Sequence, residues 1–247
     1  MRSETRGQLP APGVSRTRSD PHRSPSVSVA GAPRWGLVAL GFILSIATAA
    51  AIAAFLQGSG DWTRGLAWER SLLSGIRSEL PWAVDLIFLT LPWLSSNTLV
   101  MPVVLIACLW LWRARHRPDL ALQLFVVDLG TLVLTPLLKV LYERPRPDLW
   151  THRGQYAWSA FPSGHAMIGI AVFGTIAILA YRERGLRWPA FVLATLLAIS
   201  LYSRMYLGVH WPTDVLGGAA IGAVWLAFTL VAFRSSSPNI DENGGDS

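Results

Sequence analysis

The residues in this chain whose types and spacing could do chemistry together fall into three short clusters. The first is Lys139-Val-Leu-Tyr-Glu-Arg-Pro-Arg146-Pro147 and the second Pro162-Ser163-Gly164-His165. The third is Ser203-Arg204, followed after five residues by His210 and after three more by Asp214. Together they supply three cations, two histidines, a carboxylate and a serine–glycine turn. That is close to the inventory needed to hold a phosphate ester and cleave it.

His210 and Asp214 are four residues apart around a helix start, with Pro212 in the first turn, where its missing N–H costs nothing. At that spacing the carboxylate can accept from one ring nitrogen, fix the tautomer and leave the other nitrogen as the better nucleophile. A structural His–Asp cap explains the same pair when it is taken alone. Pro162-Ser163-Gly164 opens another helix, whose free N–H groups and Ser163 hydroxyl suit a phosphoryl oxygen. Gly164 lets backbone approach without a side chain in the way, and His165 is placed to protonate a leaving oxygen. Lys139, Arg146 and Arg204 are cations enough for a doubly charged phosphoryl group. Arg144, also followed by a proline, rivals Arg146 for this role.

Each cluster lies at the end of a long apolar run. The 247 residues are 52% hydrophobic and only 15% charged, which excludes an ordinary soluble domain and fits a polytopic membrane protein. The formal charge of +6 is carried almost wholly by arginine, since Lys139 is the only lysine. Its basic residues sit in short loops rather than on a continuous face, so nucleic acid is not an expected partner. Cys108 is the only cysteine, which excludes intrachain disulfides and multi-cysteine metal sites.

The expected fold is all-α: a bundle of six transmembrane helices over 34–234, with an interfacial helix between the first two. Spans are expected at 35–57, 97–112, about 120–140, 165–181, 188 to about 206, and 212–233, each near the length that crosses a ~30 Å hydrocarbon layer. The polar stretch 58–79 returns to water. The stretch 81–94, interrupted by Asp85, Pro92 and Ser95-Ser96, reads as interfacial or re-entrant. Asp85 reads as an interface carboxylate paired with an arginine. Asp128 falls inside the third span, where a carboxylate is costly; it reads as a polar contact within the bundle, too far along the helix to reach Lys139. Trp150, Tyr156 and Trp158 read as interface anchors. Residues 1–33 and 235–247 are polar and expected to be disordered tails.

Loop charge sets an orientation. Arginines gather before the first span and after the second, fourth and sixth, which places those ends and both termini in the cytoplasm. The three clusters then meet on the outer side.

Lys139-(six residues)-Arg146-Pro147, Pro162-Ser163-Gly164-His165 and Ser203-Arg204-(five residues)-His210-(three residues)-Asp214 resemble the three-part signature of the type 2 phosphatidic acid phosphatase superfamily. Every signature position is filled at the family's spacing. The resemblance implies that His210 attacks phosphorus and becomes a phosphohistidine, with Asp214 orienting it and His165 acting as general acid. It implies that Lys139, Arg146, Arg204, Ser163 and Gly164 hold the phosphoryl oxygens, and so favours Arg146 over Arg144. It requires no metal or other cofactor, and Asp148 with His152 is too little to form a metal site. The implied activity is hydrolysis of a lipid phosphate or diphosphate, phosphatidic acid-like or polyprenyl, presented by the bilayer. A lipid phosphotransferase would use the same site. A transporter is the reading from another class, opposed by polar residues that gather at one interface rather than at the midplane. Phosphate release by purified protein separates these.

Overall fold

The computed structural model describes residues 32–76, 82–152 and 159–234. The tails read as disordered lie outside the described residues except at 32–33, as do Tyr156, Trp158 and the Asp85 side chain. Among the described residues there are helices and loops and no strand. In chain order the helices are α1 (Trp35–Gly58), α2 (Ala67–Ile76), α3 (Trp82–Thr90), α4 (Asn97–Arg113), α5 (Pro118–Tyr142), α6 (Gly164–Arg184), α7 (Trp188–Tyr206) and α8 (Pro212–Ala232). A 3₁₀ turn over Leu91–Ser95 joins α3 to α4, and a π-helical section over Gly169–Phe173 lies within α6.

Prolines start three of the long helices: Pro118, Pro189 and Pro212 sit in first turns, where no N–H is needed. Among the described residues five helices, α1, α5, α6, α7 and α8, are long and apolar enough to cross a membrane. The second expected span is apolar too, but α4 has only 17 residues, shorter than the other five. Their outward faces carry Ile43, Phe55, Val103, Ile106, Leu109, Val140, Phe191 and Leu216, all well exposed. Hydrocarbon on the outside of a packed bundle is stable only against lipid, so this is a multi-pass membrane protein.

Inside, Val104, Leu124, Val127, Leu134, Leu138, Met167, Ile168, Val172, Ile221 and Trp225 form one apolar core. Within the bundle α1 packs along α8, α4 along α5, and the first turns of α6 against α8. The last pairing depends on Gly218: a Cβ there would stand 2.3 Å from the Ser163 carbonyl oxygen, so only glycine admits the α6 backbone this closely. With Gly222 one turn on, it forms the small-residue stripe that lets membrane helices touch through backbone.

The stretch after α1 departs from the simple polar loop expected of it. It carries α2, with Glu69 and Leu73 fully buried, and Glu69 bonds Thr213 at the start of α8. Gly65 makes this possible: at φ +71 it adopts a left-handed turn, and a Cβ would collide with the Trp211 ring at 2.3 Å.

Candidate active site

α5 delivers the first cluster. Lys139 closes its last turn, and the helix stops where Glu143 takes a left-handed conformation, its N–H donating to the Lys139 carbonyl at 3.1 Å. The Lys139 ammonium donates to the Ser159 carbonyl, and the Ser159 hydroxyl returns a bond to the Lys139 carbonyl at 2.7 Å. The approach to the second cluster is thereby tied to the end of the first. Beyond the turn, the Arg146 guanidinium donates to the Val209 carbonyl at 2.5 Å. His152 shares one ring nitrogen between the carbonyls of Pro147, at 2.8 Å, and Gly208, at 2.9 Å. It acts as a staple between two loops.

α6 begins at Gly164, with Ser163 as the residue before it. Its partner α8 is held close by the Ser163 N–H, which donates to the Asp214 carbonyl at 3.0 Å. The Ser163 hydroxyl is fully buried and has no hydrogen-bond partner. Such an atom costs stability unless something polar meets it, and it stands at the mouth of a helix N-terminus, where anions are favoured.

The third cluster spans the end of α7 and the start of α8. Ser203 and Arg204 are buried in the last turn of α7, and Arg204 acts electrostatically on both His165 and His210. The turn then carries His210 to the helix start. Asp214 sits in the first turn of α8, where its Oδ2 accepts the Trp211 N–H at 2.7 Å. The His210 Nδ1 lies 3.7 Å from that same Oδ2, farther than a hydrogen bond reaches, and has no hydrogen-bond partner.

The clusters converge. Lys139, Arg146, Gly164, His165 and His210 line one cavity of about 330 Å³. Ser163, Arg204 and Asp214 are buried beside these residues and do not line it themselves. Residues that carried no signal in the sequence complete the wall: Ser95, Ser96 and Asn97 from the start of α4, and Thr135 and Pro136 from α5. Thr135, one turn before Lys139, also has a buried hydroxyl without a partner. Unpartnered hydroxyls of Ser163 and Thr135 beside three cations make a setting suited to an oxyanion. Asp128, by contrast, is buried in α5 away from this cavity.

Arg144 does not face the cavity. It is fully buried between the rings of Trp62 and Trp211, 5.2 and 5.6 Å from their centres. Its Nη1 donates to Asp214 Oδ1 at 2.6 Å and to the Thr213 hydroxyl at 2.7 Å, its Nη2 to Glu69 at 3.2 Å, and its Nε to the Trp62 carbonyl at 3.0 Å. Glu69, likewise fully buried, accepts from the N–H groups of Leu66 and Thr213 and from the Thr213 hydroxyl. The two proline-flanked arginines thus divide: Arg146 lines the cavity and Arg144 braces the carboxylate behind it. No motif marks Glu69, because its partners lie 75 and 144 positions away.

Burial holds the His210 imidazole well below the usual histidine range, and the charges of Lys139, Arg146 and Arg204 push it the same way. A backbone contact with Ala160 opposes them only in part. At neutral pH the ring is therefore neutral, the form with a lone pair to donate.

A family model described as the PAP2 superfamily matches residues 119–237. The chain is 34% identical over 148 residues to phosphatidylglycerophosphatase B of Bacillus subtilis, covering 56% of this chain and 68% of that one. It is 26% identical over 144 residues to the undecaprenyl-diphosphatase BcrC of the same organism, covering 57% and 71%. Among solved structures it resembles a transmembrane PAP2-type phosphatidylglycerolphosphate phosphatase from Bacillus subtilis, with TM-score 0.63 over 78% of this chain and 94% of that one. At 23% identity that likeness speaks for the fold.

Proposed function

The chain belongs to the PAP2 superfamily, and we propose that it is a membrane lipid phosphatase working through a phosphohistidine, its site turned away from the cytoplasm. The observation that carries this reading is the convergence of Lys139, Arg146, His165 and His210 on one cavity, at one end of a bundle whose exterior is hydrocarbon.

In this reading the phosphoryl group of a lipid phosphate or diphosphate enters with its oxygens toward Lys139, Arg146, Arg204, the Ser163 hydroxyl and the N–H groups at Gly164. The ring nitrogen of His210 remote from Asp214 attacks phosphorus while the bond to the leaving oxygen breaks. His165 gives that oxygen a proton, so a neutral alcohol or a lipid monophosphate departs. Asp214, 3.7 Å from Nδ1, stabilises the positive charge that gathers on the ring as the N–P bond forms. His165, now neutral, takes a proton from water, which attacks the phosphohistidine and frees phosphate and His210.

The finer topology follows the loop charges. α4 is the second of six crossings, and α3 with its 3₁₀ turn lies at the interface, packed by Phe88 against Tyr202 and Tyr206 of α7. Arg113, Arg115 and Arg117 after α4, with Arg182, Arg184 and Arg187 after α6, face the cytoplasm together with both polar tails. With Cys108 replaced, cysteines at Trp150 are expected to react with an impermeant thiol reagent in intact cells, and those at Arg115 or Arg184 only after lysis. The reverse pattern would put the site in the cytoplasm.

The printed activities of the relatives set the panel for the substrate. Full-length protein in detergent is expected to release phosphate from at least one of phosphatidylglycerophosphate, undecaprenyl diphosphate and phosphatidic acid. Release should persist in EDTA and stop with vanadate. Activity lost in EDTA and restored by magnesium would contradict the mechanism.

A further inference from the structure

Behind His210 the charges form a row: Glu69 carboxylate, Arg144 guanidinium, Asp214 carboxylate, His210 imidazole. The successive separations are 3.2, 2.6 and 3.7 Å. The side chains of Glu69, Arg144 and Asp214 have no solvent exposure. Such a cluster is costly to bury and is poorly explained as a stabilising device alone. Arg144 by itself would nearly cancel the charge of Asp214, leaving His210 facing a neutral pair. With Glu69 on its far side Arg144 is shared between two acids, and the row keeps one net negative charge.

We propose that Glu69 is a positioning and charge-balancing residue for the reaction: by offsetting Arg144 it keeps Asp214 effectively negative toward His210. The α1–α2 segment is then part of the catalytic apparatus rather than a connecting loop. This rests on the reading of His210 as nucleophile. The charged and titratable groups facing that ring are Lys139 of α5, Arg146 of the following loop, His165 of α6, Arg204 of α7 and Asp214 of α8. All the cations oppose a positive charge on the ring, so the negative row is the counterweight available to it.

The test is the pH profile of kcat for detergent-solubilised full-length protein on p-nitrophenyl phosphate, whose alcohol leaves without a proton from His165. E69Q removes the charge and keeps one of the two acceptor oxygens, the one facing Thr213 or the one facing Leu66. Its acid limb is expected to move down by about one pH unit, since a cation is unmasked near the ring. Its kcat falls about tenfold, with KM changed less than about twofold, because charge on His210 develops only on the way to the transition state. R144Q is the reciprocal arm, leaving two acids and moving the limb up. E69Q/R144Q restores one net negative charge and returns it toward the wild-type position.

A structural brace gives loss of stability in each variant with the limb unmoved, and that result overturns the proposal. So does displacement of both single variants in the same direction. H210A separates this from the parent reading: if it is inactive while E69Q keeps the wild-type profile, the nucleophile stands and the charge balance falls.

Discussion

Two arginines in this chain each hold a pair of carboxylates, at opposite ends of α5. Before the helix, Arg117 bonds Asp119 at 2.9 Å and also pairs with Glu183. After it, Arg144 joins Glu69 and Asp214. The chemistry is alike and the setting is not. The first trio has side chains 31–40% exposed, and those of the second have no exposure. In water an ion pair is screened and loses side-chain entropy; buried, it interacts strongly but only after a large desolvation cost. The exposed cluster is a surface fastening between α5 and α6. The buried one is retained where it touches the carboxylate behind His210, which is where field and position affect chemistry.

That contrast sets the order of expected effects. Arg144→Ala is the harshest test, since it leaves two buried carboxylates facing each other. Breaking a buried pair costs ~3–5 kcal/mol, so the variant should lose most of its thermal stability in detergent and all measurable turnover. A melting temperature near wild type would mean that water or protonation rescues the site.

Gly218→Ala probes the backbone contact rather than the charges. Its new methyl meets the Ser163 carbonyl, so Ser163 and His165 are displaced from His210. Overpacking of this kind costs ~1–3 kcal/mol. Turnover should fall further than stability predicts, as a comparison of rates at full folding would reveal. Asp214→Asn should lower kcat while preserving the fold less well than a surface change would, because Arg144 loses one of its two carboxylate partners. Arg117→Ala is the mild counterpart: about 1 kcal/mol or less, turnover within about twofold, and a difference from wild type that shrinks in high salt. A large loss there would erase the distinction between the two ends.

The division also explains what was legible in the sequence. Apolar runs gave the long helices almost to the residue, as with α7 at Trp188–Tyr206 and α8 starting at Pro212. Local spacing was enough to pick out Lys139, His165 and His210, because each cluster lies within a dozen residues and its chemistry is written in residue type. Choosing Arg146 over Arg144 needed the resemblance; in the fold Arg146 lines the cavity and Arg144 is buried behind it. Glu69 was hidden: its partners are far along the chain, and its stretch looks like any polar loop of mixed sign. Thr135 and Ser95–Asn97 were hidden differently, being small polar residues in or beside apolar runs whose orientation only packing decides. The single hydrogen bond expected between His210 and Asp214 became a 3.7 Å contact, since Asp214 spends its oxygens on Trp211 and Arg144.

The central claim is that His210 carries the phosphoryl group. The direct measurement is rapid quenching of wild type and His210→Ala during turnover of a lipid phosphate radiolabelled at phosphorus. Wild type should carry a covalent label, stable in alkali and lost in acid, on the peptide containing His210. His210→Ala should carry none and release no phosphate. Label on another residue, or turnover by His210→Ala near the wild-type rate, would contradict the account.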